Sequence, residues 1–265
     1  MEIRSSADFV RMTRAALGAA GFVRNEIDGT VYWSGGQAIS PVLILVHGVN
    51  DQAGTWFAIA PLLACTHRVI IPDLPGHGES EPKEGPLPIS LIVDRLHGVV
   101  RASGAPSLSL IGNSFGGWIA MLYTLAHPDR VSRLTLEASG GLARPLESPV
   151  VAHNRDEAML ILRNVHGPRF EPKEWMIDAL LQRATSSPML RVTEMTEHVV
   201  DARLRDIAVP TTIVWGADDG VVPRTYADAL QQGIARSTLH VIEGAAHIPH
   251  MQQPERFLAC LSSIS

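Results

Sequence analysis

The chain has 265 residues, 46% of them apolar, and 22 Lys plus Arg against 27 Asp plus Glu give a formal charge of -5 at pH 7. Without a basic block to neutralise phosphates, the composition excludes the usual nucleic-acid binder. The two cysteines, Cys65 and Cys260, fit neither a disulfide scaffold nor a zinc spacing, and point to a reducing, cytoplasmic setting.

At the N-terminus, Asp8, Arg11 and Arg14 precede the weakly apolar stretch Ala15 to Val23. That order reads as an amphipathic surface helix rather than a signal peptide. No later run approaches the ~18 consecutive apolar residues of a membrane-spanning helix. Phe22 to Glu26 and Val31 to Ser34 flank Asp28-Gly29, the pattern of a β-hairpin at a sheet edge.

Short apolar runs rich in β-branched residues follow, at Val42 to Val46, Val69 to Ile71, Leu108 to Ile111, Leu134 to Leu136, Thr212 to Trp215 and Leu239 to Ile242. Helices are expected between them at Asp51 to Ala64, Pro88 to Ala102, Ser114 to His127, Pro223 to Gly233 and Pro254 to Ser262. Continuous apolar strands alternating with helices predict a mostly parallel, doubly wound α/β sheet covered on both faces.

The alternation breaks between Gly140 and Asp206. Three helices are expected there and no strand: Asn154 to Val165, Pro172 to Ala184, and Pro188 to Leu204 with Ser187 as N-cap. We therefore expect a core domain of residues 1–139 and 207–265, interrupted by a helical cap at 140–206. Ligands in such sheets bind outside the carboxyl ends of the strands, so the cap is expected to roof the site.

Chemistry concentrates at those ends. Gly112-Asn113-Ser114-Phe115-Gly116 is a G-x-S-x-G set directly after an apolar strand and before the helical Trp118 to Leu122, the context of a nucleophile elbow. A serine hydroxyl is a weak nucleophile and needs a base, and the base needs a carboxylate to hold its tautomer. Both follow in chain order at strand ends: Asp218-Asp219 after Trp215-Gly216-Ala217, and His247 after Gly244-Ala245-Ala246.

With Leu45-Val46-His47-Gly48 and Pro72-Asp73-Leu74-Pro75-Gly76-His77-Gly78-Glu79-Ser80 added, the chain resembles the α/β-hydrolase superfamily over nearly its whole length. The resemblance implies a Ser-His-Asp triad, with counting from Gly216 to Pro223 selecting Asp219 over Asp218. It also implies an oxyanion hole from the backbone N–H groups of Phe115 and Val49. A structural role is expected for Glu137, loop-ordering roles for His47, His77 and Asp73, and packing for Trp118. His247 and His250 lack a third partner for a metal site, and no cofactor is expected. Met159, Leu160, Met176, Leu180, Met189 and Met195 are expected to pack the cap to the core, some of them facing substrate.

With Ser114 as nucleophile, the expected reaction is hydrolysis of a carboxylic ester of a moderately apolar small molecule, through an acyl-enzyme. The alternatives are a carbon–carbon bond hydrolase acting on a ring-fission product, whose elbow Gly112 to Gly117 resembles, a lactone or thioester hydrolase, or a non-hydrolytic binding protein. Two departures weigh against the carbon–carbon reading: Val49-Asn50-Asp51-Gln52-Ala53 stands where those enzymes have a loop rich in Gly and Pro, and Ile248 follows His247 where they commonly have Trp. The expected partner is a small-molecule substrate, and the oligomeric state is left open.

Overall fold

A computed structural model describes residues 2–146 and 148–261 of the chain. In the hairpin, β1 (Val23–Ile27) and β2 (Thr30–Gly35) turn through Asp28 and Gly29, both at positive φ. The strands that follow are β3 (Val42–Val46), β4 (Arg68–Pro72), a two-residue β5 (Leu87–Pro88), β6 (Leu108–Asn113), β7 (Val131–Glu137), a two-residue β8 (Val192–Thr193), β9 (Thr211–Gly216) and β10 (Ser237–Ile242). Eight of them form one sheet in the order β1-β2-β4-β3-β6-β7-β9-β10. Its pairs from β4 to β10 are parallel, and β2 runs antiparallel to both of its neighbours. The fold is therefore the expected α/β architecture with a mixed, mostly parallel sheet.

The helices are α1 (Ser6–Ala19), α2 (Ala60–Leu63), α3 (Ile89–Ala102), α4 (Phe115–Ala126), α5 (Arg155–His166), α6 (Glu174–Gln182), α7 (Arg224–Gly233), α8 (Pro249–Gln252) and α9 (Pro254–Leu261). The expected end of the last helix, Ser262, lies outside the described residues. Strand alternation explains why β3 is apolar throughout. Val42, Ile44 and Val46 enter one core with Ile92 and Leu96 of α3 and Ile119 of α4. Leu43 and Leu45 enter the other with Leu17 of α1, Trp56 and Phe257 of α9. Full burial of each such side chain stabilises the fold by about 1.5–3 kcal/mol.

Three expectations need correction. The N-terminal helix lies earlier than Ala15 to Val23: it starts after Ser5, whose side chain accepts from the Asp8 N–H, and Gly21 at φ 84 closes it before β1. The helix expected at Asp51 to Ala64 is split into a 3-10 turn at Ala53–Ala58 and the short α2, because Pro61 has no N–H to continue a ladder. The third helix expected at Pro188 to Leu204 is absent. That stretch holds a 3-10 turn at Pro188–Arg191, then β8, then a 3-10 turn at Asp201–Asp206. Val192, Thr193, Thr196, Val199 and Val200 are β-branched and disfavour a helix, and Glu194 sits at φ 65. β8 instead pairs with β5, which makes a two-stranded sheet where no strand was expected.

Among its described residues, the segment between β7 and β9 adds no strand to the main sheet. It has a small core of its own in Ala152, Ala158, Ile161, Leu162 and Ile177, where α5 meets α6.

Candidate active site

Ser114 occupies the single residue between β6 and α4, at φ 54 and ψ -117. A non-glycine residue in that region is strained and persists only where its surroundings hold it. The hold is visible: Ser114 N–H donates to the Glu137 carbonyl at 2.8 Å, and the Ser114 carbonyl accepts from Gly117 and Gly140 at 3.0 and 3.2 Å. The glycines of the motif are steric requirements. A Cβ on Gly112 would strike the Gly116 carbonyl, and one on Gly116 would strike the carbonyls of Val46 and His47. Phe115 is the first residue of α4, so its N–H has no partner in the helix ladder and lies at the positive end of the helix dipole.

Asp219 and His247 lie on the turns after β9 and β10 and meet there. His247 Nδ1 is 3.0 Å from Asp219 Oδ2 and 3.2 Å from Oδ1. The Asp219 carboxylate also accepts from the N–H groups of Val221 at 2.8 Å and Val222 at 3.1 Å, and its side chain is 1% exposed. Asp218 is exposed. Burial pushes the His247 pKa down, but the charge and hydrogen bond of Asp219 and the more distant charge of Glu137 outweigh it, leaving the pKa raised. Asp219 as acceptor places the ring proton on Nδ1 and leaves Nε2 with a lone pair. Among the described residues no hydrogen bond joins Ser114 Oγ to that ring, yet both residues line the same cavity.

The end of α5 supports both turns. The Asn164 carbonyl accepts from Gly220 at 3.2 Å, and the Val165 carbonyl accepts from His247 at 3.1 Å. Asn113, ahead of the serine, donates from Nδ2 to the His247 carbonyl at 3.1 Å. Nothing in the sequence marks these supports, since each is a backbone contact made by a side chain or turn of no distinctive type.

Val49 lies in the loop after β3, on the cavity wall with Phe115. The loop's flanks are anchored in the core. His47 donates from Nδ1 to the Gly48 carbonyl at 2.7 Å and accepts at Nε2 from Leu74 N–H at 2.9 Å. Buried Asp73 accepts from Ala53 at 2.6 Å and from Glu79 at 2.7 Å, so it bridges two turns rather than one. His77 donates from Nδ1 to the Pro75 carbonyl at 2.9 Å. Burial, with the neighbouring His47, drives its pKa down to about 3.

Glu137 and His250 form a pair of their own behind the site, fully buried, with His250 also 3.2 Å from Thr55 Oγ1. Among the described residues no group of three or more His, Cys, Asp or Glu side chains is placed to hold a metal ion.

The cavity has a volume of about 580 Å³ and is walled largely by apolar side chains such as Leu142, Val150, Ile161 and Val165. Of the methionines and leucines singled out in the sequence, Leu180, Met189 and Met195 face it. Met159 and Met176 pack against the small core between α5 and α6, and Leu160 is exposed. Trp118 does both jobs: it lines the cavity while its Nε1 donates to the His198 carbonyl at 2.9 Å.

A family model described as "Alpha/beta hydrolase family" matches residues 43–259. A monoacylglycerol lipase of Xenopus laevis is 25% identical over 242 residues, 81% of this chain and 72% of that protein. A 2-hydroxy-6-oxo-6-phenylhexa-2,4-dienoate hydrolase of Burkholderia cepacia is 26% identical over 251 residues, 81% of this chain and 84% of that protein. The crystal structure of a membrane phospholipase A, described as a bacterial virulence factor, superposes with a TM-score of 0.83 at 25% identity, covering 97% of this chain and 92% of that one. No helix among the described residues is long and apolar enough to cross a membrane.

Proposed function

The chain belongs to the alpha/beta hydrolase family, and from that membership we propose that it is a serine hydrolase of carboxylic esters with Ser114, His247 and Asp219 as its triad. The observation that carries this reading is a serine held at φ 54 on the wall of the cavity that also receives His247, itself bonded to buried Asp219. His247 Nε2 takes the Ser114 proton as Oγ attacks the ester carbonyl. The resulting imidazolium is stabilised by Asp219 and returns the proton to the leaving alcohol, and water then repeats the sequence on the acyl-enzyme. The N–H groups of Phe115 and Val49 are the proposed donors to the tetrahedral oxyanion, where losing one such donor typically costs about 3 kcal/mol.

Residues 140–206 act in this reading as a cap whose α5, α6 and Pro188–Arg191 turn close the cavity. A volume of about 580 Å³ lies within the range that encloses a ligand of roughly drug size, and its apolar wall suits an ester with an apolar acyl or alcohol part. The lipase and phospholipase names of two relatives favour the same bond.

A second reading, hydrolysis of a carbon–carbon bond in a ring-fission product, is favoured by the dienoate hydrolase relative. Such a substrate is anionic and needs a cation, and Arg144 is the one Arg or Lys among the described residues of the cavity wall. Its Nη1 already donates to the Thr225 carbonyl at 3.2 Å. A panel of p-nitrophenyl esters assayed beside a ring-fission dienoate tests the proposal. Ester turnover that disappears in Ser114→Ala is the expected result. A strong preference for the dienoate, lost in Arg144→Ala, would replace the ester reading with the second.

A further inference from the structure

The loop after β3 departs from the Gly- and Pro-rich character of related loops at Val49-Asn50-Asp51, and the structure gives that departure a use. Asn50 stands at φ 62, the left-handed region that asparagine tolerates better than other residues with side chains. From there, among the described residues, it makes three bonds, all to the segment between β7 and β9. Its Nδ2 donates to the Val150 carbonyl at 3.1 Å, its Oδ1 accepts from Ser187 Oγ at 2.7 Å, and its own carbonyl accepts from Arg183 Nη1 at 2.9 Å. Ser187 passes the link onward, because its Oγ accepts from the N–H of Met189, a residue of the cavity wall.

The two flanks of the loop are fixed differently. On one side the Gly48 carbonyl accepts from His47 Nδ1, and the other ring nitrogen of His47 accepts from Leu74 N–H. On the other side, Ala53 is held by Asp73 and Gly54 by Gln52. Both flanks therefore belong to the core, while the tip is held by the cap. The residue between the core anchor at Gly48 and the cap anchor at Asn50 is Val49, whose N–H must aim at the developing oxyanion.

We propose that Asn50 is a positioning residue that couples the placement of the Val49 oxyanion donor to the docked position of the cap through Val150, Arg183 and Ser187. The inference rests on the serine-hydrolase reading above, in which Val49 is that donor. Because an oxyanion donor acts on the transition state and not on the bound ester, loosening it lowers kcat and leaves KM in place.

The test is steady-state kinetics on a p-nitrophenyl ester with Asn50→Gly, Ser187→Ala, their double variant and a control, Glu174→Gln. Glycine accepts φ 62 without strain, so Asn50→Gly removes the side-chain links and leaves the backbone path open. Glu174→Gln breaks the Arg155 ion pair between α5 and α6 without touching the loop. Asn50→Gly and Ser187→Ala are each expected to lower kcat on the order of tenfold with KM changed by less than about twofold. The double variant should lose no more than Asn50→Gly, since both act through one linkage, and Glu174→Gln should match the parent.

An unchanged kcat, a rise in KM in its place, multiplied losses in the double variant, or an equal kcat loss in Glu174→Gln would each overturn the coupling. If thermal melts show Asn50→Gly to be unfolded, Ser187→Ala and Arg183→Gln and their double variant carry the same test. Ser114→Ala keeps the two claims apart. An inert Ser114→Ala beside a fully active Asn50→Gly sinks the coupling alone, whereas an active Ser114→Ala sinks the reading beneath it.

Discussion

Glu137 Oε2 and His250 Nδ1 meet at 2.8 Å with both side chains 0% exposed. Glu137 closes β7, and its carbonyl holds the Ser114 N–H while its carboxylate also accepts from the His250 N–H at 2.7 Å. The Trp56 ring lies 4.1 Å from that of His250. One residue thus ties the strand end that carries the strained serine to the helix just beyond His247, and its charge reaches His247 as well.

That charge predicts a pH effect of definite sign. The proposed base must be neutral in the free enzyme, so activity falls on the acid side as pH drops through the raised pKa of His247. Glu137→Gln removes a negative charge that favours the imidazolium. The acid limb of kcat/KM should move to lower pH, while a melt should show a loss of about 1–3 kcal/mol from the weakened buried bond. A pH–rate profile superimposable on the parent's would mean that Glu137 acts on His247 only by shape.

The two adjacent aspartates should behave very differently. Asp219→Asn leaves the geometry but offers no acceptor preference for the Nδ1 proton, and kcat should fall by roughly 10³ to 10⁴. Asp218 is exposed and its backbone N–H, not its side chain, meets the Ala245 carbonyl, so Asp218→Asn should stay within about twofold. Comparable losses in the two variants would show that the acid has been assigned to the wrong residue.

Much of this was legible in the sequence because the signals were steric and local. Gly112 and Gly116 mark the elbow since no other residue fits against those carbonyls, and β3 announces its double burial by five apolar residues in a row. The choice of Asp219 over Asp218 came from the family resemblance, whose pattern runs from Gly216 to Pro223, and it is Asp219 that meets His247. The stretch from Pro188 to Leu204 departs from the expected helix because Ser187-Pro188 is a sound helix start in isolation, while Val192 and Thr193 pair with Leu87 and Pro88, a contact made across distant sequence. The role of Asn50 was hidden for the same reason: its partners at 150, 183 and 187 are far along the chain.

Acid stability offers a check independent of activity. His77, with a pKa near 3, and His166, near 4, are held neutral chiefly by burial, with a neighbouring histidine adding to it in each case. The unfolded chain takes up those protons near pH 6.5, so stability should fall as pH drops from about 6.5 toward 4. His247, with its raised pKa, works in the opposite sense, favouring the folded state at low pH and losing that contribution as pH rises. Urea midpoints of His77→Asn should therefore decline less on acidification than those of the parent. Parallel curves would show that His77 carries no such linkage.

Whether Ser114 is the nucleophile is decided by intact-protein mass spectrometry after exposure to a fluorophosphonate. One covalent adduct per chain is expected, placed on Ser114 by peptide mapping, absent from Ser114→Ala and slowed at an acid pH at which His247 is protonated. An adduct of undiminished yield in Ser114→Ala, or one mapped to another serine, would contradict it.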